Sequence, residues 1–287
     1  VEIKYYKNAT DFLVNTEKYL ARDEARYGLV LGIARVVERQ PHRYGAEDPW
    51  FCTAGAGNVI YAAAIRTPPY MVILAYFSGD TKAVAGEIAA AVFKNFRVIP
   101  GVMGDKEIAD VFADLWCRKH GTRIVISQAQ RIYRLDKVND FPAAPGRVRV
   151  AAAADKELVK KWAHAFHVDV GGEKRKAPEG DPTPGLEHGA VFLWEDGNRP
   201  VSMAVKGRPT DKGMTIGYVY TPPGLRGKGY ATSCVAELSR DILRSGKEFC
   251  TLYTDLANPT SNSIYRKIGY YEVCDSVEYT FEAPKGR

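Results

Sequence analysis

The sequence contains no apolar run approaching the roughly 18 residues a bilayer crossing requires, so no membrane partner is expected. Its five cysteines (Cys52, Cys117, Cys234, Cys250, Cys274) are an odd number and widely spaced, and none forms a C-x-x-C pair or stands at ligand spacing from a histidine. They read as buried free thiols. Histidine is as sparse: His164 and His167 lie near one another, but no carboxylate or cysteine cluster completes a site, and no metal is expected. A dense Lys/Arg stripe interleaved with aromatics is also lacking. The net charge of +6 is spread along the chain, which argues against nucleic acid and suits a small phosphate-bearing partner. Val1 to Lys18 mixes Glu2, Lys4, Lys7, Asp11 and Glu17 among apolar positions and has the character of neither a signal nor a transit peptide. A cytoplasmic protein is expected.

What is present fits a globular chain of 287 residues, with 46% hydrophobic and 26% charged residues. That length suits two domains of about 140 residues each. Asn139 to Arg149, with two prolines and a glycine, reads as the linker, giving domains 1–140 and 141–287. Asp169 to Gly189 is rich in glycine and proline without apolar periodicity and reads as a long loop.

The second half parses as a strand at Arg147–Val150, then a helix after Asp155 with Leu158, Val159, Trp162 and Phe166 on one face. Strands follow the loop at Ala190–Trp194, Pro200–Lys206 and Met214–Thr221. A helix over Gly229–Ser245, a strand over Glu248–Thr254, a helix over Pro259–Ile268 and a strand over Tyr270–Phe281 complete it. This order is an α+β architecture with a mixed central sheet flanked by helices. The first half repeats it in outline: helices over Thr10–Arg39, strands at Trp50–Thr53, Val59–Arg66 and Met71–Phe77, a helix over Thr81–Phe93, a strand at Arg97–Ile99, a helix over Asp105–His120, and strands near Arg123–Ile126 and Arg131–Leu135. Two tandem copies of one fold are the preferred reading, and an unrelated α+β cap is the alternative.

The chemistry concentrates between Tyr220 and Tyr270. Tyr220-Thr-Pro-Pro-Gly-Leu225-Arg226-Gly227-Lys228-Gly229-Tyr230-Ala231 joins a strand to a helix. The first helical turn leaves backbone N–H groups without partners and carries the positive end of the dipole. Glycines there let those amides approach an anion, and Arg226 and Lys228 add charge. A Walker loop is excluded because Tyr230 and Ala231 stand where Lys and Ser/Thr are needed, and the dinucleotide fingerprint fails at Thr232.

Arg226-x-x-Gly229-x-Ala231 resembles the acetyl-CoA signature [Q/R]-x-x-G-x-[G/A] of the GNAT acetyltransferase superfamily, and Asn258-Pro-Thr-Ser-Asn262-Ser-Ile-Tyr265-Arg-Lys-Ile-Gly269-Tyr270 resembles its second mark. The resemblance covers roughly Arg147 to Phe281. It implies that the Met214–Thr221 strand splays from its neighbour and offers backbone groups of Val219, Tyr220 and Thr221 to the pantetheine amides. It implies further that the backbone of Leu225, Arg226, Gly227, Lys228, Gly229, Tyr230, Ala231 and Thr232 holds the pyrophosphate. Asn258 and Asn262 would make polar contacts to the arm, and Tyr265 would be the general acid that protonates the departing thiolate. An amine would attack the thioester directly in a ternary complex.

The general base is less legible. Gly217, Tyr218 and Val219 occupy the strand position where many family members carry an acid, leaving Asp255, Glu187 and His188 as candidates. Asp255 could equally cap the turn before Asn258. In the first half, Ser78-Gly79-Asp80-Thr81 stands in the place of the phosphate loop, and Asp80 would repel a pyrophosphate. That half is expected not to bind CoA. Besides an acetyl-CoA-dependent N-acetyltransferase, two alternatives stay open: an acyltransferase using another acyl-CoA, similar to glycine N-acyltransferases, and a non-catalytic acyl-CoA-binding regulatory module. The acceptor could be a small molecule, a peptide or a protein, and a homo-oligomer stays open.

Overall fold

The computed structural model describes residues 1–171 and 181–282. The chain divides into two compact units, residues 1–131 with 274–287, and residues 132–273. The division thus falls at Arg131/Ile132, ahead of the expected linker, and the end of the last strand belongs to the first unit.

In the first unit, β1 (Glu2–Tyr6), β2 (Trp50–Ala56), β3 (Val59–Arg66) and β4 (Val72–Tyr76) pair antiparallel in that order. β5 (Gly101–Asp105) runs parallel to β4 and antiparallel to Ser276–Thr280 of β12 (Tyr271–Glu282). Alternate residues serve opposite cores, as the two-residue period requires. Ala62, Ala64, Val72 and Leu74 join Ile88, Val92, Phe112 and Trp116 of α3 (Thr81–Asn95) and α4 (Lys106–His120). Ala63, Ile65, Ile73 and Ala75 join Phe12, Leu20, Leu31 and Val37 of α1 (Ala9–Leu20) and α2 (Glu24–Arg39). Burial on both faces explains why β3 and β4 read as unbroken apolar runs.

The second unit repeats the plan. β7 (Arg147–Val150), β8 (Val191–Asp196), β9 (Arg199–Gly207) and β10 (Gly213–Tyr220) pair antiparallel, β11 (Phe249–Asp255) lies parallel to β10, and β6 (Arg123–Leu135) is the next strand after β11. Val191, Leu193, Met203 and Val205 face Val159, Trp162 and Ala163 of α5 (Lys156–Gly171). Phe192, Trp194, Ala204 and Ile216 face Cys234, Val235, Leu238, Tyr265 and Ile268 of α6 (Tyr230–Arg244) and α7 (Pro259–Ile268).

Several sequence expectations are corrected. Glu2–Tyr6 is a strand that the charged N-terminus did not suggest, whereas the helices expected over Thr10–Arg39 are present as α1 and α2 with a 3-10 turn at Ala21–Asp23 between them. Arg97–Ile99 is not a strand; β5 begins at Gly101. The supposed loop from Asp169 is helical up to Gly171 and forms a 3-10 turn at Thr183–Leu186, while residues 172–180 of that reading lie outside the described residues. Among the described residues, no helix is long and apolar enough to cross a membrane.

Candidate active site

β10 determines the site. Its pairing with β11 covers only Gly213↔Phe249, Met214↔Cys250 and Thr215↔Thr251, although both strands continue. Beyond Thr215 the backbone of β10 has no partner on that side among the described residues, so the parallel strands open into a wedge. On the other side the ladder to β9 jumps from Gly217↔Val205 to Tyr220↔Met203, three residues against two. This is a β-bulge, and Tyr218 takes its strain at φ +50°, a region costly for a bulky residue. The extra residue reverses the alternation: Ile216 packs under α6, whereas Tyr218 and Tyr220 both pack under α5, and Val219 turns toward the α6 side. A glycine inside a strand, here Gly217, is the sequence signal for such a bulge.

β10 leads into the loop Thr221–Gly229 and then α6. A short 3-10 turn at Pro223–Leu225 is closed by Leu225 N–H to Pro222 O at 2.8 Å. Gly227 and Gly229 have φ of +79° and +81°, where side chains are disfavoured, and a Cβ on Gly227 would meet nothing within 4 Å. The cradle is therefore open. The first bond of the α6 ladder is Ser233 N–H to Gly229 O at 3.0 Å; the amides of Gly227 to Thr232 have no acceptor among the described residues. Lys228 is exposed. Arg226 is less free than its motif position suggested: its Nε donates to Thr221 O at 2.8 Å, and its guanidinium pairs with the Asp169 carboxylate at the end of α5. Buried Ser202 donates to Tyr220 O at 3.1 Å and accepts from Thr221 Oγ1 at 2.9 Å, fixing the tip of β10. Neither Asp169 nor Ser202 stood out in the sequence.

On the far side of the wedge, Asn258 caps α7 by accepting Ser261 N–H at 3.0 Å, with Pro259 in the first helical position. Asn262 is buried; its Nδ2 donates to Asp255 O at 3.1 Å and Asn258 O at 2.8 Å, while its Oδ1 is buried with no partner among the described residues. Tyr265 lies one turn further on the same buried face, between the rings of Tyr133 at 6.4 Å and Tyr270 at 5.9 Å. Its hydroxyl makes no hydrogen bond among the described residues, and burial pushes its pKa above the ordinary tyrosine value. Asp255 accepts Ala257 N–H at 2.7 Å in the turn that precedes Asn258. Glu187 and His188 are exposed at the end of the Thr183–Leu186 turn. Among the described residues no group of three His, Cys, Asp or Glu side chains could hold a metal.

The corresponding place in the first unit is occupied by side chains of its own. β4 and β5 also stop pairing early, at Leu74↔Gly104. There the buried Asp105 carboxylate takes the Tyr76 N–H at 2.9 Å and Arg26 Nε at 2.7 Å. Asp80 caps α3 by accepting Ala83 N–H at 2.8 Å.

Residues 198–279 match the FR47-like protein family model. A comparison with curated proteins finds no match. Among solved structures, a Drosophila protein superposes with a TM-score of 0.67 at 15% identity, over 97% of this chain and 98% of the other. A GCN5-related N-acetyltransferase from Sphaerobacter thermophilus gives 0.62 at 14%, covering 99% and 96%. A GNAT-family acetyltransferase from Colwellia psychrerythraea gives 0.58 at 11%, covering 98% and 100%. The protein therefore has the GNAT fold, as the Tyr220–Tyr270 resemblance implied. Within that class, the FR47-like segment falls mostly in the second unit, residues 198–273 of 198–279.

Proposed function

We propose that the second unit is an acetyl-CoA-dependent N-acetyltransferase acting on a primary amine. The observation that carries this reading is the wedge between β10 and β11, which opens beside a helix N-terminus whose amides lack acceptors. A pantetheine arm is a chain of amides that needs unpaired strand backbone, and its pyrophosphate needs an amide-lined anion site. One ligand meets both requirements. In this reading Val219 and Thr221 pair with the arm, the Gly227–Thr232 backbone takes the pyrophosphate because the Leu225 and Arg226 amides are already held by Pro222 O and Pro223 O, and the orphaned Asn262 Oδ1 accepts a hydrogen bond from the arm.

Acetyl-CoA supplies the activated acyl group. The amine nitrogen attacks the thioester carbonyl, the C–S bond breaks, and the Tyr265 hydroxyl gives its proton to the leaving sulfur. Asp255, whose carboxylate accepts Ala257 N–H in the turn before α7, is the candidate that assists deprotonation of the amine. The first unit binds no CoA in this reading. The test is release of free thiol from acetyl-CoA in the presence of a panel of small amines and peptides. Turnover with at least one acceptor is expected. CoA binding without turnover on any acceptor would make this a regulatory acyl-CoA-binding module.

A further inference from the structure

The first unit contains a buried cation that the proposed reaction does not use. Arg66, at the end of β3, is 7% exposed. Its Nε donates to Tyr70 O at 3.0 Å and its guanidinium lies over the ring of Phe96 at 4.3 Å. No carboxylate forms an ion pair with it among the described residues. Burial lowers its pKa, and the charge of the exposed Glu47 opposes that shift. Desolvating a cation without a counter-charge is expensive, so buried arginines are ordinarily found paired.

A second donor lies beside it. Trp50 is the direct register partner of Arg66 across β2 and β3, so both side chains share one face of the sheet. The Trp50 Nε1 is buried and has no acceptor. Its ring meets Phe96 edge-on at 5.5 Å and 78°, so one phenyl ring touches both donors. An orphaned indole N–H and a guanidinium without a carboxylate partner, both beside the Phe96 ring, form an acceptor-seeking site, and a guanidinium fork matches a planar carboxylate.

We propose that Arg66, Trp50 and Phe96 form a binding site for a small organic carboxylate on the first unit. The guanidinium pairs with the carboxylate, the indole N–H donates to it, and Phe96 supports the apolar part of the ligand. Glu47 is a weak internal competitor. The site is independent of the acetyltransferase reading and holds whether or not that reading does.

The test uses the full chain. The indole N–H resonance of Trp50, assigned with Trp50→Phe, is followed as sodium acetate is titrated against sodium chloride at matched ionic strength. A saturable shift with acetate and none with chloride is expected. In Arg66→Gln the affinity should fall by about ten-fold or more, and in Glu47→Gln it should rise about two-fold. The Trp116, Trp162 and Trp194 resonances report whether each variant is folded; if Arg66→Gln is not, Arg66→Lys takes its place and should still weaken acetate binding, because it keeps the charge and loses the fork. The proposal fails if acetate gives no saturable shift in the wild type, if the shift appears only in Glu47→Gln, or if the arginine variant binds equally well. A shift with inorganic phosphate and none with acetate overturns the carboxylate assignment.

Discussion

Tyr265 can serve as a general acid only if its proton is in place at working pH, and its surroundings arrange this. Burial among Tyr133, Tyr270 and Ile268 raises its pKa. A raised pKa keeps the phenol protonated throughout the range below its ordinary value of about 10, so the pH–rate profile should show no loss of activity from Tyr265 ionisation up to about pH 10. Tyr265→Phe keeps the packing and removes the proton. Turnover should fall about 10²-fold or more, while CoA affinity by calorimetry stays within about two-fold. A drop in affinity matching the drop in turnover would assign the hydroxyl to binding instead. Asn262 is a complementary case. Its Nδ2 bonds to Asp255 O and Asn258 O hold the turn that aims α7, so its replacement would disturb the position of Tyr265 as well as any contact to ligand.

At the scale of elements, the site depends on a helix start and a strand irregularity. Gly229 caps α6 at φ +81°, and a carboxylate there would meet the pyrophosphate at the end of the loop. Gly229→Asp should abolish CoA binding in calorimetry while the far-UV spectrum stays near that of the wild type; retained affinity would remove the loop from the site. The strand preceding α5 is held by Arg149, which binds Asp155 through two nitrogens at 2.6 and 2.9 Å and Glu195 at 2.5 Å. The Arg149 guanidinium holds the Asp155 carboxyl below its ordinary pKa. A carboxyl with a depressed native pKa stabilises the fold fully above the unfolded-state value and loses that contribution as pH falls through the native one. Asp155→Ala should therefore cost about 1–3 kcal/mol in urea denaturation at pH 7, and the difference from wild type should shrink as pH falls below about 4.

Much at this scale was legible in the sequence. α7 runs from Pro259 to Ile268 and β7 from Arg147 to Val150, as the turn residues and apolar spacing implied, because each is bounded by a local signal. Less legible were features decided by contacts distant in sequence. The pairing of Ser276–Thr280 with β5 joins residues about 175 positions apart and leaves no local trace. The Asp169 contact with Arg226 depends on where α5 ends, and the glycine-rich stretch after it masked that position. The bulge at Tyr218 had its signal in Gly217, but the same glycine also fits an ordinary strand facing a close neighbour.

For the whole molecule, the proposed function raises the question of how many CoA molecules a chain with two similar units would bind. The order of strands and helices is shared, with β4, α3 and β5 in one unit standing where β10, α6 and β11 stand in the other. Shared order does not give shared binding. Between β4 and α3 the connection is Phe77 to Asp80, against Thr221 to Gly229 between β10 and α6. On the proposed reading the shorter loop is too short to wrap a pyrophosphate, and the Asp80 carboxylate already occupies the first-turn amide of Ala83. Asp105 fills the strand opening by taking the Tyr76 N–H that a pantetheine amide would need. Calorimetry of the wild-type chain should therefore give one CoA per chain, and Gly229→Asp should give none. Replacing Asp80 and Asp105 together with asparagine removes the repulsion but not the loop-length limit, so the stoichiometry should remain one. A second CoA equivalent in that double variant would show that charge alone closes the first unit, and a second equivalent in the wild type would show that it is not closed.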